Sequence, residues 1–147
     1  MNRYIYTAFT ALLLALLLGA CQNDGHIGYL YGTWRVDSYT VDGVTADTDW
    51  AVTTLSFQSN IIMVETIHDE YGTYSSFFGS WTEQGDLMII DFDHVNDNGP
   101  TQAPPALGWT NTAPMEMRVS DRSGRRVTWT YTDAAGAVHV YRLHKTY

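Results

Sequence analysis

The sequence is poor in cysteine, lysine and glutamate, and each shortage excludes a class of protein. One cysteine in 147 residues cannot form an intramolecular disulfide, which excludes a disulfide-rich scaffold. Lysine occurs once and glutamate four times, so the residues that usually cover helix surfaces are scarce. Eight Lys and Arg residues stand against sixteen Asp and Glu residues, and the formal net charge of -8 argues against nucleic acid as a partner.

The chain is instead rich in apolar and β-branched side chains. Hydrophobic residues make up 45% of the chain and aromatic residues 14%, which is enough for a packed core and too much for a disordered protein. Thr, Val and Ile supply 32 of the 127 residues from Cys21 onward. These types favour strands, and no segment has a long apolar repeat of 3.6 residues. The composition therefore indicates one all-β domain.

The N-terminus has the pattern of an export signal. Arg3 precedes an apolar run at residues 8–20, which is shorter than the roughly 20 residues that span a bilayer and fits the hydrophobic region of a secretory signal. Leu18-Gly19-Ala20-Cys21 resembles the bacterial lipobox. The resemblance implies that residues 1–20 are removed as a signal peptide and that Cys21 carries the lipid that contacts the membrane. An ordinary signal peptide that leaves a free thiol is the alternative.

The segment after the cysteine predicts a tether and a location. Residues 21–28 are polar and contain two glycines, so we expect a flexible link to a domain that spans residues 29–147. Gln22 stands where Asp can mark retention in the inner membrane of Gram-negative bacteria, so the resemblance implies lipid anchoring in the outer membrane of the cell envelope. Whether the domain faces the periplasm or the cell surface stays open.

Eight candidate strands follow, and turn-forming residues separate them. Strict alternation, as at Met115, Met117 and Val119, indicates one buried and one wet face, which is typical of antiparallel sheets. An eight-stranded meander of this kind hides its edges by closing on itself. We therefore predict an eight-stranded antiparallel up-and-down β-barrel preceded by a signal-peptide helix. The predicted strands are residues 30–41, 52–58, 61–68, 73–82, 87–93, 115–120, 125–132 and 137–145.

Residues 94–114 interrupt the strand pattern. This segment contains all four prolines, which cannot donate to a strand ladder, so it is predicted to be a long loop with one helical turn near Pro105. Loops of this length are often functional, and Trp109 lies within it. The alternative is an excursion that only covers one end of the barrel.

The start of the first strand carries a family resemblance. Gly32-Thr33-Trp34, followed by the eight-stranded meander, resembles the lipocalin superfamily, and Gly79-Ser80-Trp81 before Gly85-Asp86 is similar to the lipocalin-like domains of uncharacterised bacterial lipoproteins. The resemblance covers residues 28–147. It implies that Trp34 plugs the closed end and that Arg142, with Lys145 behind it, packs a cation over the indole. The chain departs from lipocalins in its short N-terminal segment and in lacking their disulfide pair and middle-loop signature.

The resemblance further implies that a small apolar or amphipathic molecule binds inside the barrel. Alternation predicts the inward-facing candidates, which are Leu55, Phe57, Trp81, Leu87, Ile89, Met117, Trp129 and Tyr131; Phe57, Trp81, Met117, Trp129 and Tyr131 are the pocket candidates. The alternative is that these side chains fill the interior. The protein would then be a structural or interaction component of an envelope assembly, anchored to its partner by exposed Tyr39, Trp50, Tyr74 and Trp109.

Metal and catalytic patterns are weak. Asp91 and Asp93 share a strand face and lead into an acidic segment, but Val95 stands where a calcium loop needs an oxygen ligand, and the closing glutamate is missing. The five histidines lack the spacing of a zinc helix, and the chain has no Gly-x-Ser-x-Gly elbow. We therefore predict no catalytic residue, no metal ligand and no cofactor, and expect that the protein is not an enzyme.

Overall fold

A computed structural model describes residues 25–92, 103–109 and 114–146. The predicted signal-peptide helix, Cys21 and residues 22–24 of the tether lie outside the described residues, as do Asp93 and the acidic segment that follows it. In the described part of the chain, no helix is long and apolar enough to cross a membrane.

The described chain is nearly all sheet, with three short 3-10 helices at Gly25–Leu30, Asp49–Val52 and Pro105–Leu107. The strands are β1 (Gly32–Val41), β2 (Val44–Thr45), β3 (Thr53–Gln58), β4 (Ile61–Ile67), β5 (Tyr74–Gln84), β6 (Leu87–Asp91), β7 (Met115–Ser123), β8 (Arg126–Thr132) and β9 (Val138–Lys145).

The strands form one antiparallel sheet that closes on itself. Each strand from β3 to β8 pairs with the next, and β1 pairs with β3 through Gly32–Arg35 and with β9 through Trp34–Val41. The two-residue β2 folds back and pairs with the end of β1. The turn between them is at Asp42 and Gly43, whose φ values of 49° and 80° fit a type I′ hairpin. The remaining eight strands are the closed antiparallel barrel, which confirms the predicted fold class.

Alternate side chains of the strands fill the barrel, and the pairing of strands fixes which ones they are. Trp81 faces inward and stands directly opposite Ile90, so Ile90 and Met88 also face inward and are fully buried. The prediction that Leu87 and Ile89 face inward is therefore wrong, and both lie half-buried on the outer face. Because both faces of β6 are apolar, alternation in the sequence could not identify the buried one.

Candidate functional site

Trp34 closes one end of the barrel, which we call the Trp34 end. Its side chain is fully buried, and its indole Nε1 donates to the carbonyl of Leu30, 2.8 Å away, in the 3-10 helix that covers this end. Lys145 Nζ lies 5.8 Å from the centre of the Trp34 ring and 3.1 Å from the carbonyl of Tyr29. Arg142 is exposed on the outer face, so the prediction that it packs over Trp34 is corrected: the cation is Lys145.

The predicted pocket residues meet in the barrel interior, with one exception. Phe57, Met117 and Trp129 are fully buried, and Trp81 is nearly so. The Phe57 ring makes edge contacts with Trp81 at 5.4 Å and with Trp129 at 5.8 Å between ring centres. Tyr131 is only half-buried and packs against the His139 ring, 5.5 Å away.

Side chains of the protein fill the barrel interior around the predicted pocket residues. A void large enough for a water molecule would leave part of a neighbouring side chain accessible to solvent. Many inner-face residues instead have an exposed fraction of 0%, namely Trp34, Leu55, Phe57, Ile62, Val64, Met88, Ile90, Met117 and Trp129. These nine side chains therefore pack closely against one another, as in an ordinary protein core.

Two buried indoles in this core lack a hydrogen-bond acceptor. Among the described residues, no acceptor reaches Nε1 of Trp81 or Nε1 of Trp129. Leaving a buried donor unpaired costs about 1–3 kcal/mol. The sequence could not identify these orphaned donors, because whether a buried indole finds an acceptor depends on the packing around it.

A hydrogen-bonded relay lies at the opposite end of the barrel. His139 Nε2 is 3.1 Å from Oδ2 of Asp133, and Nδ1 is 2.8 Å from the hydroxyl of Tyr39. When Asp133 accepts the Nε2 proton, Nδ1 is left to accept the proton of Tyr39. The side-chain hydrogen bond with His139 is the main cause that lowers the pKa of Asp133. Two of its members are buried, since Tyr39 is 1% exposed and His139 7%, whereas Asp133 is partly exposed.

The loop segment 103–109 covers this relay and is fastened to it. Tyr141 Oη donates to the carbonyl of Leu107, 2.7 Å away, and accepts from Trp109 Nε1, 3.0 Å away. The Tyr141 ring stacks on Tyr39 with 4.6 Å between ring centres. Burial raises the pKa of Tyr141 far above the ordinary tyrosine value, so the hydroxyl stays protonated. This part of the long loop therefore acts as a cap on the barrel.

Two of the four aromatic residues that were predicted to be exposed anchors are buried at the cap. Tyr39 and Trp109 are both 1% exposed. Tyr39 lies beneath the cap, and Trp109 is part of it. Trp50 is half-buried and donates to the carbonyl of Ala46, 3.1 Å away. Tyr74 is exposed, as predicted.

The outer surfaces of β4 and β5 carry four of the exposed apolar residues of the sheet. Ile67 stands opposite Tyr74, and Met63 stands opposite Phe78, all on the outer face. Ile61, Ile67, Tyr74 and Phe78 are between 37% and 62% exposed. We call Ile61, Met63, Ile67, Tyr74 and Phe78 the outer apolar face.

Metal ligands do not cluster in the described part of the chain, where no group of three or more His, Cys, Asp or Glu side chains forms. Asp91 lies on the outer face at the end of β6. The remaining residues of the predicted calcium interpretation, Asp93 to Asn98, lie outside the described residues, so that interpretation stays untested.

No protein-family model and no curated protein matches the chain. Two solved structures are similar to it. A lipocalin-like protein from Bacteroides uniformis is 20% identical with a TM-score of 0.56, and the match covers 80% of this chain and 99% of that one. An uncharacterized protein from Bacteroides eggerthii is 17% identical with a TM-score of 0.55, over 77% and 98% of the two chains. Because identities this low show the fold alone, the conclusion is one of architecture: this chain folds as a lipocalin-like β-barrel.

Proposed function

We propose that this chain is a lipid-anchored protein of the bacterial envelope that acts through the outer surface of its barrel, as a non-enzymatic interaction component. The observation that carries the proposal is the filled interior. Phe57, Met117 and Trp129, which would line a lipocalin pocket, are instead fully buried against their neighbours. A barrel whose described interior is filled in this way would meet a partner on its outer surface.

The outer apolar face supports this proposal. Scattered exposed apolar residues are ordinary, but Ile67–Tyr74 and Met63–Phe78 are cross-strand pairs on one face of the sheet, and only the Glu65–Ser76 pair lies between them. Tyrosine and phenylalanine also supply rigid contact area, and aromatic residues are enriched in protein interfaces. The expected occupant is an apolar surface of a second envelope protein.

The test of this proposal replaces apolar contact with charge. In the lipidated protein, Phe78→Lys together with Ile67→Lys should abolish cross-linking to the partner in intact envelopes. Ser120→Lys is the matched control, because Ser120 is exposed on β7, away from the outer apolar face. Equal loss in the control, or no loss in the double variant, would contradict the proposed surface.

The anchor makes a separate prediction. Cys21→Ser should release the protein from the membrane fraction, because the lipid attached to Cys21 is the proposed hold on the membrane. Several acyl chains hold a protein firmly, whereas a single chain binds only marginally. Sedimentation of envelopes measures the result. A Cys21→Ser protein that still sediments and still carries lipid would show that the lipobox interpretation is wrong.

A small ligand inside the barrel is the second candidate function, and the orphaned indoles of Trp81 and Trp129 favour it. An amphipathic molecule with one acceptor group could satisfy these donors, but only by displacing side chains that now fill the interior. Native mass spectrometry of a chain that begins at Gln22, which includes every described strand, separates the two functions. We expect the bare mass. A discrete added mass that disappears on denaturation would favour the ligand, and its loss in Trp81→Phe and Trp129→Phe would place the acceptor.

A further inference from the structure

A surface groove beside the Trp34 end concentrates positive charge in an acidic protein. The groove has a volume of about 870 Å³, and its lining includes Arg35, Arg125, Arg126 and Lys145. These are four of the seven Lys and Arg residues that follow Cys21. The rest of the chain after Cys21 carries three arginines and fifteen Asp and Glu residues, so the two parts differ in the sign of their charge.

The cations of the groove lack ion-pair partners within the part of the chain that the structure describes. Among the described residues, no carboxylate lies within 4.0 Å of the four cationic groups, whereas Arg118 pairs with Asp86 and Arg122 with Glu83 elsewhere on the surface. Arg125 donates to the carbonyls of Lys145 and Thr146, and these bonds hold its guanidinium at the rim.

One carboxylate, Asp37, also lines the groove, and its partner there is His144. Oδ1 of Asp37 lies 2.6 Å from Nδ1 of His144. Arg35, Arg125 and Arg126 are exposed, so their charges are open to a ligand outside the protein.

The groove lies on the side of the barrel from which the N-terminal segment leaves. Lys145 contacts the carbonyl of Tyr29, in the short helix that begins at Gly25. Cys21 is four residues before Gly25, and four residues span at most about 14 Å. A membrane that holds Cys21 therefore stands next to the Trp34 end and its groove.

We propose that this groove docks on the anionic phospholipid headgroups of the membrane in which the lipid of Cys21 is inserted. The inference rests on the proposed anchor for its orientation. Arginine and lysine attract phosphates at a membrane surface, and a surface phosphate has its anionic oxygens free to meet several guanidinium groups. The remaining, acidic surface is repelled by the same headgroups, so docking orients the barrel with the Trp34 end toward the bilayer and the relay end away from it.

The test measures the groove without the anchor. The unlipidated chain from Gln22 is mixed with phosphatidylcholine vesicles that contain about one-third phosphatidylglycerol, and with vesicles of phosphatidylcholine alone. We expect binding to the anionic vesicles only, and a loss of that binding at high salt, because salt screens exposed charges. Arg126→Gln should lower the partition coefficient about fivefold, and Arg35→Gln with Arg126→Gln about 25-fold.

Arg118→Gln is the matched control, because it removes the same charge from an exposed residue outside the groove. Its partition coefficient should stay within about twofold of the unchanged protein. Equal binding to both kinds of vesicle, no binding to either, or an equal loss in Arg118→Gln would overturn the proposal. Tight binding of soluble glycerol phosphate would also overturn it, because the groove would then hold a free anion. Cys21→Ser sedimentation tests the anchor independently, so failure of the groove and failure of the anchor give different results.

Discussion

Single residues at the relay end are held by close contacts that leave no room for change. Gly108 lies in the cap with a φ of +70°, and a Cβ atom on it would stand 2.1 Å from the hydroxyl oxygen of Tyr39. That hydroxyl is bound to His139, so it cannot move away without breaking the relay. Gly108 therefore provides both the backbone conformation and the space that allow the cap to sit on the barrel.

Gly108→Ala should loosen the cap. The added methyl group must displace Tyr39 or lift residues 103–109, so faster amide hydrogen exchange is expected in this segment, with a loss of about 1–3 kcal/mol in the free energy of unfolding. Gly136→Ala is the matched control, because Gly136 also has a positive φ of 88° but nothing within 4 Å of its Cβ position.

The two variants separate contact from backbone strain. Adding Tyr39→Phe to Gly108→Ala removes the hydroxyl that the new methyl group would meet, and should restore part of the exchange protection. Equal effects of Gly108→Ala and Gly136→Ala, with no rescue by Tyr39→Phe, would mean that the contact with Tyr39 contributes nothing.

The positions of side chains could be predicted where the adjacent sequence determines them, and could not be predicted where several packed neighbours determine them. The lipocalin resemblance implied that Trp34 plugs the closed end, and its side chain is fully buried. The cation over it was misplaced by three residues, because Tyr141 and Leu143 face inward and send Arg142 outward, while Lys145 reaches the rim. The Tyr39–His139–Asp133 relay was not predicted, since Tyr39 lies 100 residues before His139 and meets it only when β1 pairs with β9.

At the scale of strands and loops, turn chemistry and alternation predicted most of the sheet. The turns at Asp42-Gly43, Ser59-Asn60 and Gly85-Asp86 separate strands as expected. Alternation did not predict the buried face of β6, because both faces of this strand are apolar. The pairing of β6 with β5 determines which face is buried. The loop prediction could not specify that residues 103–109 form a cap, since that depends on the two tyrosines beneath them.

The same comparison applies to the outer surface. β4 and β5 have inner faces that fill the core and outer faces that also carry apolar residues. The sequence alone therefore left the direction of both strands ambiguous. In the structure, the apolar side chains on the outside of these two strands form the outer apolar face, on which the proposed interaction depends.

For the whole molecule, burial of tyrosine makes stability sensitive to high pH. Burial is the main cause that raises the pKa values of Tyr141, Tyr39 and Tyr29 above the ordinary value of about 10. A raised pKa in the folded state means that the neutral phenol favours folding. The stabilisation is therefore fully present below about pH 10 and is lost as the pH rises above that value, when the unfolded chain can ionise its tyrosines.

Thermal unfolding should show this directly. We expect the melting temperature to change little between about pH 7 and pH 9 and to fall steeply above about pH 10, together with the rise of tyrosinate absorbance. The slope should be smaller in Tyr141→Phe, which cannot ionise at that position. A melting temperature that is flat through this range would show that the buried phenols ionise as easily in the folded chain as in the unfolded one.

The pairing of β1 with β9 also affects the rate at which the barrel folds. Trp34 pairs with Lys145 and Val41 with His139, so the contacts that close the barrel join residues about one hundred positions apart. Contacts this distant form slowly, because a long loop must be brought together before they stabilise anything. Until β9 arrives, β1 and β8 each present an open edge to which another chain can add. The last strand to be made is therefore the one that ends the risk of aggregation, and the folding rate of the barrel is set by how fast its two ends meet.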